Sequence, residues 1–255
     1  MKTFPSVNLN LRENIAYLQM HHGKSNILDF DLMKQLCDAL DAAASSAVLV
    51  LSSAVGDFSK GVDIKIHTPD QVPEMLNQFH AVIRRLYHFS GVSICVLNGY
   101  ALGGGFELAL PCDLVAAEKE AHLGFPEIRL ACFPPVAAVL LPQLIGRSAN
   151  RLLFTGKMIS ADEGLALGLI DAVFEKDRQN ELISEWTKTI SEYSPDALRI
   201  LKRVALSSRG FDFDAALREA EECYLNDLLK SPDVAEGIEA FLQKRPAVYR
   251  RTPRE

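Results

Sequence analysis

The chain has 255 residues, of which 48% are hydrophobic and 24% charged, and its formal net charge is −6. This length suits one large domain, or a large domain with a smaller one, and it can bury a core. No apolar run reaches the roughly 18 residues of a membrane span and the N-terminus lacks an apolar signal region, so we expect a soluble, cytoplasmic protein with no membrane partner. The acidic balance, without a Lys/Arg-rich block, argues against nucleic acid as a partner.

The five cysteines are far apart in the sequence, and no two of them form a C-x-x-C pair. They are Cys37, Cys95, Cys112, Cys132 and Cys223. An odd number without close spacing indicates neither a disulfide framework nor a zinc site. We therefore expect no metal, and mostly buried thiols.

The first third of the chain alternates strand and helix patterns. Apolar residues alternate with polar ones over 7–20, which predicts a β-hairpin. A helix is predicted over 31–44 and another over 74–89. Between them, the unbroken apolar run Ala47–Ser52 is typical of a parallel strand that is covered on both faces.

The middle third continues the alternation of predicted strands and helices. They are a strand at Val92–Leu97, a short helix ending at Leu110, a strand at Asp113–Ala116, a loop from Pro126 to Pro135, helices over 136–144 and 148–154, a helix opened by the capping-box pair Ser160 and Glu163, and a strand at Ile170–Phe174. Strands that alternate with helices indicate an α/β fold.

The last part of the chain is predicted to be helical, with helices at about 178–193, 195–208, 212–230 and 232–244. Pro195 and Pro232 stand at first-turn positions behind possible N-cap serines. We place a boundary near Ser194, which divides the chain into a core with the site, 1–193, and a C-terminal helical region, 194–255.

Two loops with glycine follow buried strands and are candidates for an oxyanion site. Asn98–Asp113, with the sequence NGYALGGGFELALPCD, follows one strand, and Phe58–Asp63 follows the other. Glycine permits close backbone approach, and free N–H groups at a helix start attract negative charge. One N–H from each loop could stabilise an enolate on a thioester oxygen, although each glycine also suits an ordinary turn.

Two glutamates lie in apolar sequence, Glu107 in FELAL and Glu127 in FPEIRL. An unpaired carboxylate is expensive to bury, so both need a reason to be there. Two carboxyl groups that share one water can act as a general base and a general acid. The alternative is two structural salt bridges, for example from Glu127 to Arg129 or Arg151.

The segments Phe58–Ile66, Asn98–Asp113 and Gly124–Arg129 resemble, in order and spacing, the oxyanion loops and catalytic glutamates of the crotonase (enoyl-CoA hydratase/isomerase) superfamily. The similarity covers essentially the whole chain. It implies an α/β fold, a crotonase-like ββα spiral core with a helical C-terminal trimerisation region, assembled as a homotrimer or a dimer of trimers.

The resemblance also implies roles for individual residues. The N–H groups of Val62 and Gly104 would form the oxyanion hole, Glu107 would activate water, and Glu127 would exchange a proton with the substrate carbon. Substrate and CoA contacts are implied for Lys24, Asn26, Leu28, Asp63, Ile64, Lys65, Pro134 and, from a neighbouring subunit, Lys244. Lys24 and Lys65 also fit as ordinary surface lysines. CoA is part of the substrate, so no cofactor is expected.

The segment Pro134–Pro142 departs from the glycine-rich sequence of ordinary short-chain hydratases. Its Pro, Val and Ala residues form a stiffer wall beside Glu127. This departure, with other segments, looks most like the cyclohexa-1,5-diene-1-carbonyl-CoA hydratases of anaerobic aromatic degradation, and it implies hydration of that substrate to a hydroxycyclohexene-carbonyl-CoA. His67 is either a pocket residue or, as we favour here, an exposed or capping histidine.

Two alternatives remain at this point. The first alternative is another enzyme of the superfamily, either a straight-chain enoyl-CoA hydratase or an enoyl-CoA isomerase. The second is a non-catalytic, crotonase-like binding subunit, such as the RNA-binding relatives. The presence of both glutamates and the acidic charge favour a hydratase.

Overall fold

A computed structural model describes residues 2–207 and 210–249 of the chain. Ser208, the end of one predicted helix, and residues 250–255 of the predicted C-terminal region lie outside the described residues. The strands are β1 (Lys2–Thr3), β2 (Val7–Arg12), β3 (Ile15–Met20), β4 (Val48–Ser53), β5 (Val92–Leu97), β6 (Tyr100–Leu102), β7 (Leu114–Glu118), β8 (His122–Gly124), β9 (Ile159–Ser160) and β10 (Ala172–Phe174).

The helices lie mainly between and after these strands. They are α1 (Phe30–Ala43), α2 (Val72–Tyr87), α3 (Gly104–Glu107), α4 (Pro135–Ile145), α5 (Ser148–Thr155), α6 (Ala161–Leu167), α7 (Gln179–Ser191), α8 (Pro195–Ser207), α9 (Phe213–Asn226) and α10 (Pro232–Leu242). Short 3-10 segments include Ile64–Ile66 and Pro126–Leu130. Within the described part of the chain, every helix is too short or too polar to span a bilayer.

The strands form two sheets. The larger has the order β1-β2-β3-β4-β5-β7-β10, and the smaller has the order β6-β8-β9. The antiparallel pairing of β2 with β3 confirms the predicted hairpin. From β3 onward the larger sheet is parallel, as the alternation of strands and helices predicted.

Both faces of the parallel strands are covered, as the apolar sequence of β4 predicted. Leu49 and Leu51 face the main core with α1 and α2, whereas Val48 and Val50 face a second cluster that includes Trp186 of α7. Burial of large apolar side chains on both faces supplies most of the driving force for folding.

Three features differ from the sequence prediction. The strands β1, β6, β8 and β9 were not predicted, since segments of two or three residues show no period. The loop predicted from Pro126 contains the 3-10 segment Pro126–Leu130. The helix predicted over 212–230 ends at Asn226 and is followed by the 3-10 turn Leu228–Lys230.

Candidate active site

The two glycine-bearing loops meet at the carboxyl ends of β4 and β5. Ser59 and Ala101 form a parallel bridge between the loops, and Leu28 and Val62 form another that fixes the first loop on its other side. A methyl group added at Gly104 would lie 2.8 Å from Cγ2 of Val62. The predicted oxyanion residues Val62 and Gly104 are therefore neighbours, which the sequence alone could only suggest.

The N–H groups of Val62 and Gly104 donate to no acceptor within residues 2–207 and 210–249. Gly104 is the first residue of α3, so its N–H has no partner inside the helix. Gly103 precedes it at φ +54, and a side chain there would collide with the carboxyl group of Glu127. Both N–H groups line one cavity and are available to an oxygen atom of a ligand.

Asn26 holds the first loop in place from inside the protein. Its side chain is 0% exposed, and its amide donates to Ser53 Oγ at 2.8 Å and to the carbonyl of Phe58 at 3.0 Å. Ser59 Oγ donates to the Asn26 carbonyl at 2.7 Å and accepts from the N–H of Gly61 at 3.1 Å. Asn26 thus supports the backbone that presents Val62, and its side chain does not line the cavity.

Glu107 lies at the end of α3 with only 2% of its surface exposed. Its Oε1 accepts a hydrogen bond from the N–H of Ala137 at 2.8 Å, in the first turn of α4. Pro135 occupies the first position of α4, where a proline is favoured because an N–H there would lack a partner inside the helix. The segment Pro134–Pro142, predicted to be a stiff wall, therefore includes the first turns of α4, and the N-terminus of this helix faces the Glu107 carboxylate.

Burial raises the pKa of Glu107 to about 7, while the N–H groups of Ala137 and Val136 limit the rise. A carboxyl group with a pKa near neutrality can accept a proton from water at physiological pH. The electrostatics of Glu107 are those of a general base.

Glu127 lies on the facing 3-10 segment. Its Oε2 is buried and has no hydrogen-bond partner in the described part of the chain. Burial, with the charge of nearby Glu107, holds the pKa of Glu127 well above its usual range. Neither glutamate forms an ion pair with Arg129, Arg151 or any other described cation, so the salt-bridge alternative is wrong for the described residues. A raised pKa keeps Glu127 protonated and able to act as an acid.

These groups line one cavity of about 90 Å³. Its polar wall carries Val62, Gly104, Glu107 and Glu127, and Pro134 lies in the same lining. The apolar wall comes mainly from α2, the 3-10 segment and the C-terminal helices, with Met75, Leu76, Phe79, Leu130, Phe133 and Ile238. The arrangement can bind a carbonyl oxygen, take one proton and deliver another to an apolar substrate.

A wider groove of about 640 Å³ continues outward from this cavity and shares Lys60, Val62 and Ile64 with it. Asp63, Ile64 and Lys65, predicted to contact CoA, all line the groove. Lys24 and Lys244 are exposed and line neither space, and Leu28 is 0% exposed beneath the loop. The structure therefore brings three of the predicted CoA residues together but not these others.

His67 caps a 3-10 segment and also lines the inner cavity. It ends the 3-10 segment Ile64–Ile66, where its Nδ1 donates to the carbonyl of Asp63 at 2.9 Å, and its ring forms part of the cavity wall. The sequence favoured an exposed or capping histidine over a pocket residue. The capping role is confirmed, but the expectation that His67 lies outside the pocket is wrong. Burial lowers the pKa of His67, which favours the neutral ring with Nε2 as a hydrogen-bond acceptor.

The C-terminal helices supply residues that the sequence did not indicate. Tyr224 of α9 and Ile238 of α10 line the inner cavity, and Phe241 and Leu242 line the outer groove. The other residues that line these two spaces lie far from them in the sequence, and no local pattern predicts such pairs. The site therefore combines residues from both sides of the boundary placed near Ser194.

Comparisons with known proteins show which family the chain belongs to. A family model described as enoyl-CoA hydratase/isomerase matches residues 10–252. The chain is 35% identical to the cyclohexa-1,5-dienecarbonyl-CoA hydratase of Thauera aromatica, over 92% of each protein. It is 33% identical to the 2,3-dehydroadipyl-CoA hydratase of Escherichia coli K12, over 86% of this chain and 88% of that protein.

The fold also matches a solved structure. A crystal structure of an enoyl-CoA hydratase from Mycobacterium avium subsp. paratuberculosis K-10 superposes with a TM-score of 0.87. The match covers 97% of this chain and 100% of that one at 23% identity. At this identity the likeness concerns the fold, which is the ββα spiral expected from the sequence.

Proposed function

The chain belongs to the enoyl-CoA hydratase/isomerase family and is an acyl-CoA hydro-lyase, and from that premise we propose that it adds water to cyclohexa-1,5-diene-1-carbonyl-CoA to give a hydroxycyclohexene-carbonyl-CoA. One observation carries the catalytic part. Buried Glu107 and half-buried Glu127 both have raised pKa values, and they share a cavity with two backbone N–H groups that have no acceptor among the described residues.

The proposed reaction assigns each group one task. The thioester oxygen accepts hydrogen bonds from Val62 N–H and Gly104 N–H. Ionised Glu107 takes a proton from water as the water oxygen bonds to a carbon of the conjugated double-bond system, and the electron pair moves onto the thioester oxygen. The resulting enolate then collapses and takes a proton from Glu127 at carbon. Removing one oxyanion donor from such a site typically costs about 3–4 kcal/mol of transition-state stabilisation.

The shape of the cavity supports a compact acyl group. The inner cavity is about 90 Å³, which leaves little room for a long acyl chain. Pro134 and Pro135 stiffen one side, and Ile238 closes another. The support for a ring as the acyl group comes from the Thauera aromatica relative, which is named for a cyclic substrate.

The outer groove is our proposed site for the CoA moiety. It presents Lys65 beside apolar residues, and its backbone near Asp63–Lys65 is accessible. Lys24 and Lys244 stay predictions as phosphate contacts, Lys244 from a neighbouring subunit. The proposal calls for no cofactor beyond the CoA carried by the substrate.

Single Glu107→Gln and Glu127→Gln variants test the catalytic assignment. Glutamine keeps the shape of each side chain but cannot exchange the proton, so we expect hydration to fall by orders of magnitude while acyl-CoA binding persists. Glu192→Gln, on the exposed end of α7, is the matched control and should hydrate normally. Near-wild-type turnover in both site variants would contradict the assignment.

Parallel assays with cyclohexa-1,5-diene-1-carbonyl-CoA and crotonyl-CoA test the substrate. We expect a clear preference in kcat/KM for the ring. A preference for crotonyl-CoA would favour the straight-chain hydratase, and double-bond migration without a gain of water would favour the isomerase. Salt-dependent RNA retention without turnover of any CoA ester would favour the binding subunit.

We propose a homotrimer or a dimer of trimers as the assembly. Several large apolar residues in the C-terminal part of the chain are exposed, among them Ile200, Leu201 and Val204 on α8. Such residues support an interface, because water-exposed apolar patches are costly to leave uncovered. Light scattering coupled to size exclusion would measure the mass, and a monomer would contradict this proposal.

A further inference from the structure

Within the described residues, the Glu127 carboxyl group accepts a hydrogen bond only from its own backbone N–H. Its Oε2 is buried without a partner in the described residues, and its other oxygen lies against Gly103. Glu107, by contrast, is held by Ala137 N–H. The position of the Glu127 carboxyl group therefore depends on the backbone of the segment Pro126–Leu130 and on what packs against it.

Cys132 connects this segment to the C-terminal helices. Its N–H donates to the carbonyl of Glu127 at 3.1 Å, and its thiol donates to the carbonyl of Leu130 at 3.6 Å. Tyr224, on α9, lies in the same buried cluster as Cys132 and lines the same cavity, and its hydroxyl interacts with the Cys132 thiol. Since the thiol proton is directed at Leu130, the Tyr224 hydroxyl is the donor to sulfur.

Tyr224 is suited to this task. It is 2% exposed, its ring packs against Phe133 with centroids 5.1 Å apart, and it lines the cavity that holds both glutamates. Burial and the neighbouring acidic groups raise the pKa of Tyr224 far above its usual value, so the hydroxyl stays a neutral donor.

The helix that carries Tyr224 is itself anchored. Glu221, one turn earlier on α9, contacts His80 and Arg84 of α2, and Asp214 contacts Arg84 and His88. The next helix packs on the same segment, because a side chain at Gly237 would collide with the carbonyl of Leu130. The C-terminal helices thus form a fixed support under the segment of Glu127.

We infer that Tyr224, acting through Cys132, is a positioning residue that holds the Glu127 carboxyl group in register with Glu107 and the substrate. The inference rests on the proposed role of Glu127 as the proton donor. Displacement of a reacting group by about 1 Å can cost roughly a hundredfold in rate, so loss of this contact should appear in kcat rather than in binding.

The test removes one link at a time. Tyr224→Phe keeps the ring and removes the donor, and Cys132→Ala removes the acceptor. We expect each to lower kcat by about tenfold to a hundredfold with KM within about twofold. Cys132→Ser should recover most of the loss, since its hydroxyl can accept from Tyr224 and donate to Leu130. Tyr193→Phe, which removes an exposed hydroxyl, should leave kcat unchanged.

A double-mutant cycle decides whether the two residues act as one unit. The Tyr224→Phe/Cys132→Ala variant should be no slower than the slower single variant. Fully additive losses, a loss confined to KM, or normal kcat in folded Tyr224→Phe would overturn the inference. If Tyr224→Phe does not fold, the Cys132→Ala and Cys132→Ser pair decides alone, with equal kcat losses overturning it.

The Glu127→Gln variant distinguishes a failure of the positioning role from a failure of the proposed function. It is assayed in the same series, on whichever of the two acyl-CoA substrates the wild-type protein hydrates. An inactive Glu127→Gln with a normal Tyr224→Phe refutes only the positioning role. An active Glu127→Gln, or wild-type protein that hydrates neither substrate, refutes the proposed function together with this inference.

Discussion

Replacing Glu107 by glutamine removes a buried charge without changing the shape of the side chain, and we expect the protein to become more stable at alkaline pH as it loses activity. The folded protein raises the pKa of Glu107 from an ordinary 4.5 to about 7. Each unit corresponds to 1.36 kcal/mol, so the ionised form costs the folded state about 3 kcal/mol.

The pH window follows from the sign of this shift. Below about pH 4 both the folded and the unfolded states hold the proton, and the cost is absent. As the pH rises from about 4 to above 7, the unfolded chain releases its proton first, so the wild-type protein loses stability over that range. Glutamine does not titrate, and its amide oxygen can still accept from Ala137 N–H.

Thermal unfolding at about pH 5 and about pH 8.5 measures the effect. The advantage of Glu107→Gln over the wild type should grow by about 2.5 kcal/mol between these conditions, or roughly 5–10 °C in Tm for a chain of this size. The exposed control Glu192→Gln should show no such change. A difference between variant and wild type that does not vary with pH would refute the electrostatic reasoning.

Further predictions concern the same site. The kcat/KM of the wild-type protein should rise with pH as Glu107 ionises, with the midpoint of the rise near pH 7. A kcat/KM that does not change with pH below 7 would contradict the role of Glu107 as the base. Gly104→Ala should lower kcat by about 10²–10³-fold in steady-state assays, because the added methyl displaces Val62; normal kcat would exclude this oxyanion hole. Asn26→Ala should lower both Tm and kcat, since buried groups lose partners at about 1–3 kcal/mol each. His67→Gln should reduce kcat/KM for the cyclic dienoyl-CoA more than for crotonyl-CoA, and equal reductions would exclude a part in acyl selection.

The sequence indicated the polar part of the site because that part is local. Gly104 and Glu107 lie within one turn of each other after a buried strand, and the first loop follows the neighbouring strand. Parallel strands bring their carboxyl ends to one edge, so the two loops meet by topology alone. The placement of Glu127 on the same cavity agrees with the expected pair of carboxyl groups.

The apolar part of the site could not be predicted in this way. Tyr224 and Ile238 reach the cavity only because α9 and α10 dock on α2 and on the segment Pro126–Leu130. Asn26 shows a limit of a different kind: the family resemblance implied a contact with substrate or CoA, whereas its side chain is buried and hydrogen-bonded to Ser53 and to the backbone of Phe58. A resemblance in sequence does not distinguish a side chain that binds substrate from one that supports the binding loop.

The most direct measurement is the reaction of the wild-type protein with cyclohexa-1,5-diene-1-carbonyl-CoA, followed by mass spectrometry of the product. We expect the thioester to gain one molecule of water, with turnover lost in Glu107→Gln and Glu127→Gln. An unchanged cyclic thioester alongside rapid hydration of crotonyl-CoA would contradict the cyclic substrate, and full activity in both glutamine variants would contradict the two-carboxyl mechanism.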